Sequence, residues 1–252
     1  MITEKRYEII LNALAKKDVL TLQELMAATK CSASTIRRDL SKLQAMGKLQ
    51  RVHGGATLKT TRTLEPNLNE KRTQHIKEKR EIGRLAAAQI CDQDRIFIDA
   101  GSTTLEMIPF IKAKDIIVVT NGLTHVEILL QHGIRTFILG GDVKATTFAT
   151  VGSNALDLLR KYRFDKVFLG MNGIDLNAGL TTPDEQEALI KETAMHLGQQ
   201  TFVMVDKSKY DDIHFAHVNA ATNVKIITSK LAMSLQTFPQ YRAQYDFMGG
   251  IV

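Results

Sequence analysis

Two groups of residues in this 252-residue chain have the types and spacing to do chemistry. The first is Ser34-Thr35-Ile36-Arg37-Arg38, followed by Ser41 and Lys42. On a helix, Ile36, Leu40 and Leu43 make one apolar stripe, which leaves these hydroxyls, guanidiniums and the lysine on the other face. Such groups bind phosphates and base edges in a DNA major groove. Arg37 or Arg38 has the reach for a bidentate contact to guanine O6/N7, with Thr35 and Lys42 placed for phosphates. Arg51 and His53 lie about a tight turn and would touch backbone or minor groove. Taken singly, each arginine reads better as a solvated surface charge; the cluster, the capped helices and the local charge together favour DNA. The second group is a set of turns rich in Gly, Ser, Thr and Asp. These are Asp99-Ala100-Gly101-Ser102-Thr103-Thr104, Thr120-Asn121-Gly122, Gly140-Gly141, Gly170-Met171-Asn172-Gly173-Ile174-Asp175 and Asp206-Lys207-Ser208-Lys209. Gly101–Thr104 leads into a helix carrying Leu105, Ile108 and Ile111, so its amides and three hydroxyls offer an anion cradle, or simply an N-cap. A lysine from the last turn, such as Lys209, favours phosphate.

The candidate ligand-binding residues are therefore Asp99, Gly101, Ser102, Thr103, Thr104, Asn121, Gly140, Gly141, Asn172, Gly173, Asp175 and Lys209, with Glu187 added from the helix that follows. Glu185, Glu187 and Lys191 on that helix read equally well as an i,i+4 charged surface. There is no Walker-type loop and no Gly-x-Gly-x-x-Gly, which disfavours a nucleotide. Cys31 and Cys91 form neither a disulfide framework nor a metal cluster. No catalytic set, metal or cofactor is read from the sequence.

The elements that must hold these groups follow from periodicity. An amphipathic helix spans about Thr3 to Lys16; Thr21 and Glu24 form a capping box for a second; Ser32 caps a third that Gly47 ends. A short β pair, Leu49–Val52 and Ala56–Leu58, flanks His53-Gly54-Gly55. Residues 1–58 thus read as a winged helix-turn-helix, its helix-turn-helix over 20–39. Residues 1–60 hold 11 Lys and Arg against 5 Asp and Glu, whereas 61–252 hold 22 of each. All the excess positive charge lies in the small module, which implies a polyanion partner for that module. Residues 59–74 read as a linker, with a charged helix starting at about Thr73. Over 75–252, apolar runs at Arg95–Asp99, Ile116–Thr120, Arg135–Gly140, Lys166–Gly170, Thr201–Asp206 and Val224–Thr228 alternate with helical patterns. That is the signature of an α/β domain with a mostly parallel sheet buried on both faces. Ligands of such sheets sit outside the carboxyl ends of the strands, so the five turns should converge on one pocket. No apolar run is long enough to span a bilayer and no signal-peptide pattern opens the chain, so the expectation is a cytoplasmic protein with no membrane contact.

Ser34-Thr35-Ile36-Arg37-Arg38-Asp39-Leu40, with Arg51-Val52-His53-Gly54-Gly55-Ala56, resembles the signature of the DeoR family of bacterial regulators. Asp39 fits as a carboxylate that orients a neighbouring arginine. The larger domain resembles that family's sugar-phosphate-sensing half, which implies a Rossmann-like fold similar to ribose-5-phosphate isomerases and glucosamine-6-phosphate deaminases. The resemblance assigns Gly101–Thr104 to the phosphate loop and Asn172–Asp175 to the loop that carries catalytic carboxylates in the isomerases; here Asn172 replaces its first acid. Leu64-Glu65-Pro66, Tyr162–Lys166, Thr181–Asp184 and Asp206–Lys209 are most similar to fructose-operon repressors, which implies fructose 1-phosphate, or another phosphosugar, as effector. Together these readings give a repressor that binds an operator as an even homo-oligomer and is released by a small phosphorylated sugar. The alternative is a phosphosugar isomerase or deaminase with a DNA-binding appendage, in which Asp175 and Glu187 would be the acid–base pair.

Overall fold

The computed structural model describes residues 3–17, 19–46, 48–52, 55–57, 67–221 and 223–248. The chain splits into two compact units, Met1–Glu65 and Pro66–Val252.

In the first unit, α1 (Thr3–Lys16) is followed by β1 (Val19–Thr21), α2 (Leu22–Thr29), α3 (Ala33–Ala45), β2 (Gln50–Val52) and β3 (Gly55–Thr57). Thr21 caps α2 through the expected capping box: its hydroxyl accepts from the Glu24 amide, and the Glu24 carboxylate accepts from the Thr21 amide. Lys30 ends α2 in the left-handed region and Ser32 caps α3 two residues later, which makes the turn between the helices short. The three helices close on Ile10, Leu14, Leu25, Ile36, Leu40 and Leu43. β1 and β2 pair antiparallel with β3 on either side, a three-stranded sheet where the sequence showed only a two-stranded wing. Gly47 and His53 lie outside the described residues.

The second unit runs α4 (Leu68–Thr73), α5 (Ile76–Ala87), β4 (Arg95–Ile98), α6 (Ser102–Leu105), β5 (Ile117–Thr120), α7 (Leu123–Gln131), β6 (Arg135–Ile138), β7 (Asp142–Lys144), β8 (Ala149–Val151), α8 (Ser153–Leu159) and β9 (Phe164–Gly170). It continues with β10 (Gly173–Asp175), β11 (Gly179–Thr182), α9 (Glu185–Leu197), β12 (Gly198–Val205), β13 (Ala216–Val218), β14 (Val224–Thr228), α10 (Lys230–Met233), α11 (Phe238–Gln244) and β15 (Asp246–Met248). Seven strands form one parallel sheet in the order β6-β5-β4-β9-β12-β14-β15. Strand alternation sends Ile96, Ile98 and Phe202 into a core with α5 and α7, and sends Phe97, Val167 and Val203 into a second core with α8 and α9. Each such side chain, fully buried, contributes about 1.5–3 kcal/mol. Both faces are covered, as near-continuous apolar strands require.

Two expectations are corrected. The linker read over 59–74 gives way at its end: Leu68–Thr73 is the helix α4, capped by Asn67, with Leu68 buried and its amide bonded to the Thr146 carbonyl at 2.8 Å. The helix expected after Gly101–Thr104 is only the four residues of α6, followed by a 3₁₀ turn at Ile108–Phe110 where Pro109 cannot donate.

Candidate effector cleft and DNA-reading helix

α3 carries the predicted nucleic-acid face. Ser34, Arg37, Arg38, Ser41 and Lys42 are exposed, Thr35 is half-buried, and Ile36, Leu40 and Leu43 point inward. Asp39 is buried and takes Arg6 of α1 in a fork, Nε–Oδ2 at 2.7 Å and Nη2–Oδ1 at 3.1 Å. The arginine that Asp39 orients is thus Arg6, which locks α3 to α1 rather than aiming Arg37 or Arg38. Ser41 accepts from Arg51 Nη1 at 2.9 Å while donating to the Arg37 carbonyl, so β2 is tied to the exposed face of α3. Arg51 thereby shares one basic surface with Arg37, Arg38 and Lys42.

In the second unit, the chain leaves β4 for β5 and β6 at one edge, then returns to β9 on the other side of β4. This reversal between β4 and β9 is the topological switch point, where the carboxyl ends of two strands open a crevice. Asp99 lies at the end of β4 and accepts from the Gly170 amide at the end of β9 (3.2 Å). The Lys191 ammonium, from α9, pairs with Asp99 and also donates to the Gly170 carbonyl at 3.0 Å. Both charged groups are almost fully buried. The surface reading of that helix is therefore corrected: Glu187 and Lys191 face inward, one turn apart, and Glu185 alone of the three is exposed.

The Gly101–Thr104 turn is built around Thr104, whose Oγ1 receives the Gly101 amide (3.0 Å), reaches the Asp99 carbonyl (2.6 Å) and meets His125 Nε2 at 3.1 Å. Burial holds the His125 imidazole down at about 4, so it is neutral at pH 7 and suited to this hydroxyl contact. Thr104 and His125 are thus internal fixings. Ser102 and Thr103 are different: both are nearly buried, yet among the described residues neither hydroxyl has a protein partner. α4 and α5 pack on this turn and bring cations to it. Lys79, on α5, is buried with its ammonium on the Lys71 carbonyl, and burial lowers it to about 8, with Asp206 raising it and Lys209 and Lys71 lowering it. Arg72 on α4 acts electrostatically on His125. The short α6 supplies little macrodipole, so the positive field here comes from side chains.

The other predicted residues divide sharply. Asn121 is clamped, its Oδ1 taking the Ala100 amide at 2.9 Å and its Nδ2 donating to the Thr150 carbonyl at 3.4 Å, so it shapes the crevice floor. Asn172 Oδ1 accepts from the Thr182 hydroxyl at 3.0 Å. Gly173 is required by packing, since a Cβ there would stand 2.2 Å from the Asp212 carbonyl oxygen. Asp175 sits at the tip of the β10–β11 hairpin, where its Oδ1 accepts from the Asn177 and Ala178 amides, both at 2.8 Å. Glu187 Oε1 takes Lys144 at 3.1 Å and the Thr147 hydroxyl at 2.9 Å. Gly140 and Gly141 end the edge strand β6, and Gly141, at φ +133, passes within reach of the Val151 carbonyl. Lys209 is half-buried beside Lys79. The five turns therefore do not converge equally: those after β4, β5 and β9 meet at the switch point, that after β12 flanks them, and Gly140–Gly141 and Asp175 are engaged elsewhere. Lys79, His125 and Lys191 were missing from the predicted set. Lys79 lies within the run Lys77-Glu78-Lys79-Arg80, where nothing in the sequence singles out Glu78 and Lys79 as the buried pair.

Comparison with known proteins agrees with both halves. Residues 6–62 match the model of the DeoR-like helix-turn-helix domain, and residues 74–230 match that of the DeoR C terminal sensor domain. The chain is 44% identical to a Bacillus subtilis protein named uncharacterized HTH-type transcriptional regulator FruR, over 91% of this chain and 92% of that one. It is 35% identical to the lactose phosphotransferase system repressor of Lactococcus lactis, over 82% and 83% of the two chains. A ribose 5-phosphate isomerase A from Methanocaldococcus jannaschii aligns at TM-score 0.39 and 15% identity over 52% of this chain and 53% of that chain, a likeness too distant to bear on function. Among the described residues no helix is long and apolar enough to cross a membrane. With a helix-turn-helix domain and a sensor domain of one family in sequence, the chain belongs to the DeoR family of transcriptional regulators.

Proposed function

We propose that this protein is a cytoplasmic repressor of a sugar-utilisation operon, that it binds its operator as an even homo-oligomer, and that fructose 1-phosphate releases it. The observation that carries the sensing half of this reading is the pair of Ser102 and Thr103 hydroxyls, bonded to no protein group among the described residues, on the short α6 against which α5, the helix of Lys79, packs. A phosphate there takes hydrogen bonds from both hydroxyls and charge from Lys79, Lys209 and Arg72. The Asp99–Lys191 pair then faces the sugar. Helix-turn-helix proteins read paired half-sites about 10–10.5 base pairs apart or multiples of that, which supports an even oligomer. The fructose assignment rests on the likeness to FruR and on the motifs shared with fructose-operon repressors.

An enzymatic role is disfavoured by how the acids are engaged. Asp175 holds a hairpin turn, Glu187 is bonded to Lys144 and Thr147, and an amide stands at Asn172. Proton transfer at a sugar carbon needs groups with separated acidities placed at the reacting atoms. A thermal-shift screen of purified protein against phosphosugars, with product analysis of the same mixtures, tests both statements. Fructose 1-phosphate at about 100 times its Kd adds roughly 2.7 kcal/mol of stability with no product formed. Sustained turnover of any phosphosugar would reinstate the enzyme.

A further inference from the structure

The start of α5 and the end of β12 bring together His75, Glu78 and Asp206, one ligand atom of each within 4.8 Å of the others. Glu78 and Asp206 are buried and His75 is exposed. Each carboxylate has one oxygen firmly held. Glu78 Oε2 accepts from the Lys207 amide at 3.1 Å and from the Ser229 hydroxyl. Asp206 Oδ1 accepts from the Ser208 amide at 2.9 Å and from its hydroxyl at 2.5 Å. Glu78 Oε1 meets His75 Nδ1 at 3.2 Å, while Asp206 Oδ2, in a side chain with no exposed surface, has no hydrogen-bond partner among the described residues.

A buried carboxylate oxygen with nothing bonded to it loses its hydration without compensation, and two such groups side by side repel as well. Lys79 is the cation whose charge Asp206 feels, but its ammonium is held on the Lys71 carbonyl instead. Tyr210, whose buried hydroxyl also has no hydrogen-bond partner among the described residues, is a phenol that burial pushes further up, so it supplies no positive charge.

We infer that His75, Glu78 and Asp206 bind one divalent transition-metal cation. One imidazole and two carboxylates form a donor set that suits Mn²⁺ or Zn²⁺. The Lys207 amide, Ser208 and Ser229 grip the far oxygens of both carboxylates, which is how ligating carboxylates are oriented. Bound there, the cation compensates both acids and fixes the Asp206–Lys209 turn against the first turn of α5.

The test uses tag-free, full-length protein stripped with chelator, with Mn²⁺ or Zn²⁺ added alone and no phosphosugar present. Wild-type protein takes up one cation per chain, and its Tm rises with metal concentration. His75→Ala, which alters an exposed side chain but takes the imidazole from Glu78 Oε1, lowers the metal-free Tm modestly and weakens binding roughly tenfold or more. Asp206→Asn does the same wherever it folds. Unchanged affinity in His75→Ala, or a wild-type Tm that ignores both metals at millimolar concentration, overturns the inference.

Discussion

Ser102 and Thr103 stand apart from Thr104 although the three hydroxyls are adjacent in the chain. Thr104 is consumed by the Gly101 amide, the Asp99 carbonyl and His125, whereas its two predecessors engage no protein group among the described residues. Thr103→Asp therefore places a carboxylate where the proposed phosphate lies, leaves the internal bonds of Thr104 intact, and abolishes effector binding while operator binding persists. Isothermal titration of the variant with fructose 1-phosphate checks this, and undiminished affinity would remove the phosphate from the turn. Lys79 gives a pH test of the same contact. In the free protein burial lowers it to about 8, and a neighbouring phosphate must raise it again, so binding takes up a proton above that value. Affinity then falls as pH rises through 8, while on the acid side it falls below about 6 as the phosphate loses its second charge. Lys79→Met weakens binding and removes the alkaline fall. A dissociation constant that stays flat from neutral to strongly alkaline pH would show that Lys79 does not meet the anion.

At the scale of elements, α3 works because one side of it is anchored and the other is bare. Ile36, Leu40 and the Arg6–Asp39 fork fix its inner side, so Arg37 and Arg38 present from a rigid base. Arg37→Ala and Arg38→Ala each weaken operator binding while the Tm and effector affinity stay at wild-type values. One of the two costs about 1–3 kcal/mol and relaxes base preference at one position, as loss of a bidentate guanine contact does. Two variants that both bind the operator like wild type would move the reading surface off α3. This helix was legible in the sequence because its cap, apolar stripe and basic face are all local signals. The strands of the main sheet were legible too, since Val224–Thr228 and its partners are runs of buried β-formers bounded by turns. What was not legible depends on long-range placement. β10, β11 and β13 form a small separate sheet from segments up to 45 residues apart, and none is longer than four residues. Lys79 and Lys191 look like surface charges until the sheet order brings their helices over the carboxyl ends of β4, β9 and β12. Asp175 misled for the same reason: an Asp in a glycine-rich turn reads identically whether it binds a sugar or caps the turn itself.

For the whole molecule, a ligand in the sensor releases DNA only if it binds the DNA-incompetent arrangement more tightly than the competent one. The required coupling is modest, about 1–3 kcal/mol, or roughly a 5–150-fold change in operator affinity. By linkage, operator DNA must weaken the phosphosugar by the same factor, which separates a true switch from competition by salt. The central claim is thus a reciprocal coupling between α3 and the crevice at the switch point of the sheet. It is tested most directly by titrating the operator-bound, full-length protein with fructose 1-phosphate, fructose 6-phosphate, tagatose phosphates and free fructose at constant ionic strength, with release followed by fluorescence anisotropy. The account predicts release by fructose 1-phosphate at the lowest concentration and little response to fructose, which lacks the group that Ser102, Thr103 and Lys79 would hold. Equal response to every sugar, or tighter DNA binding with fructose 1-phosphate, would contradict it.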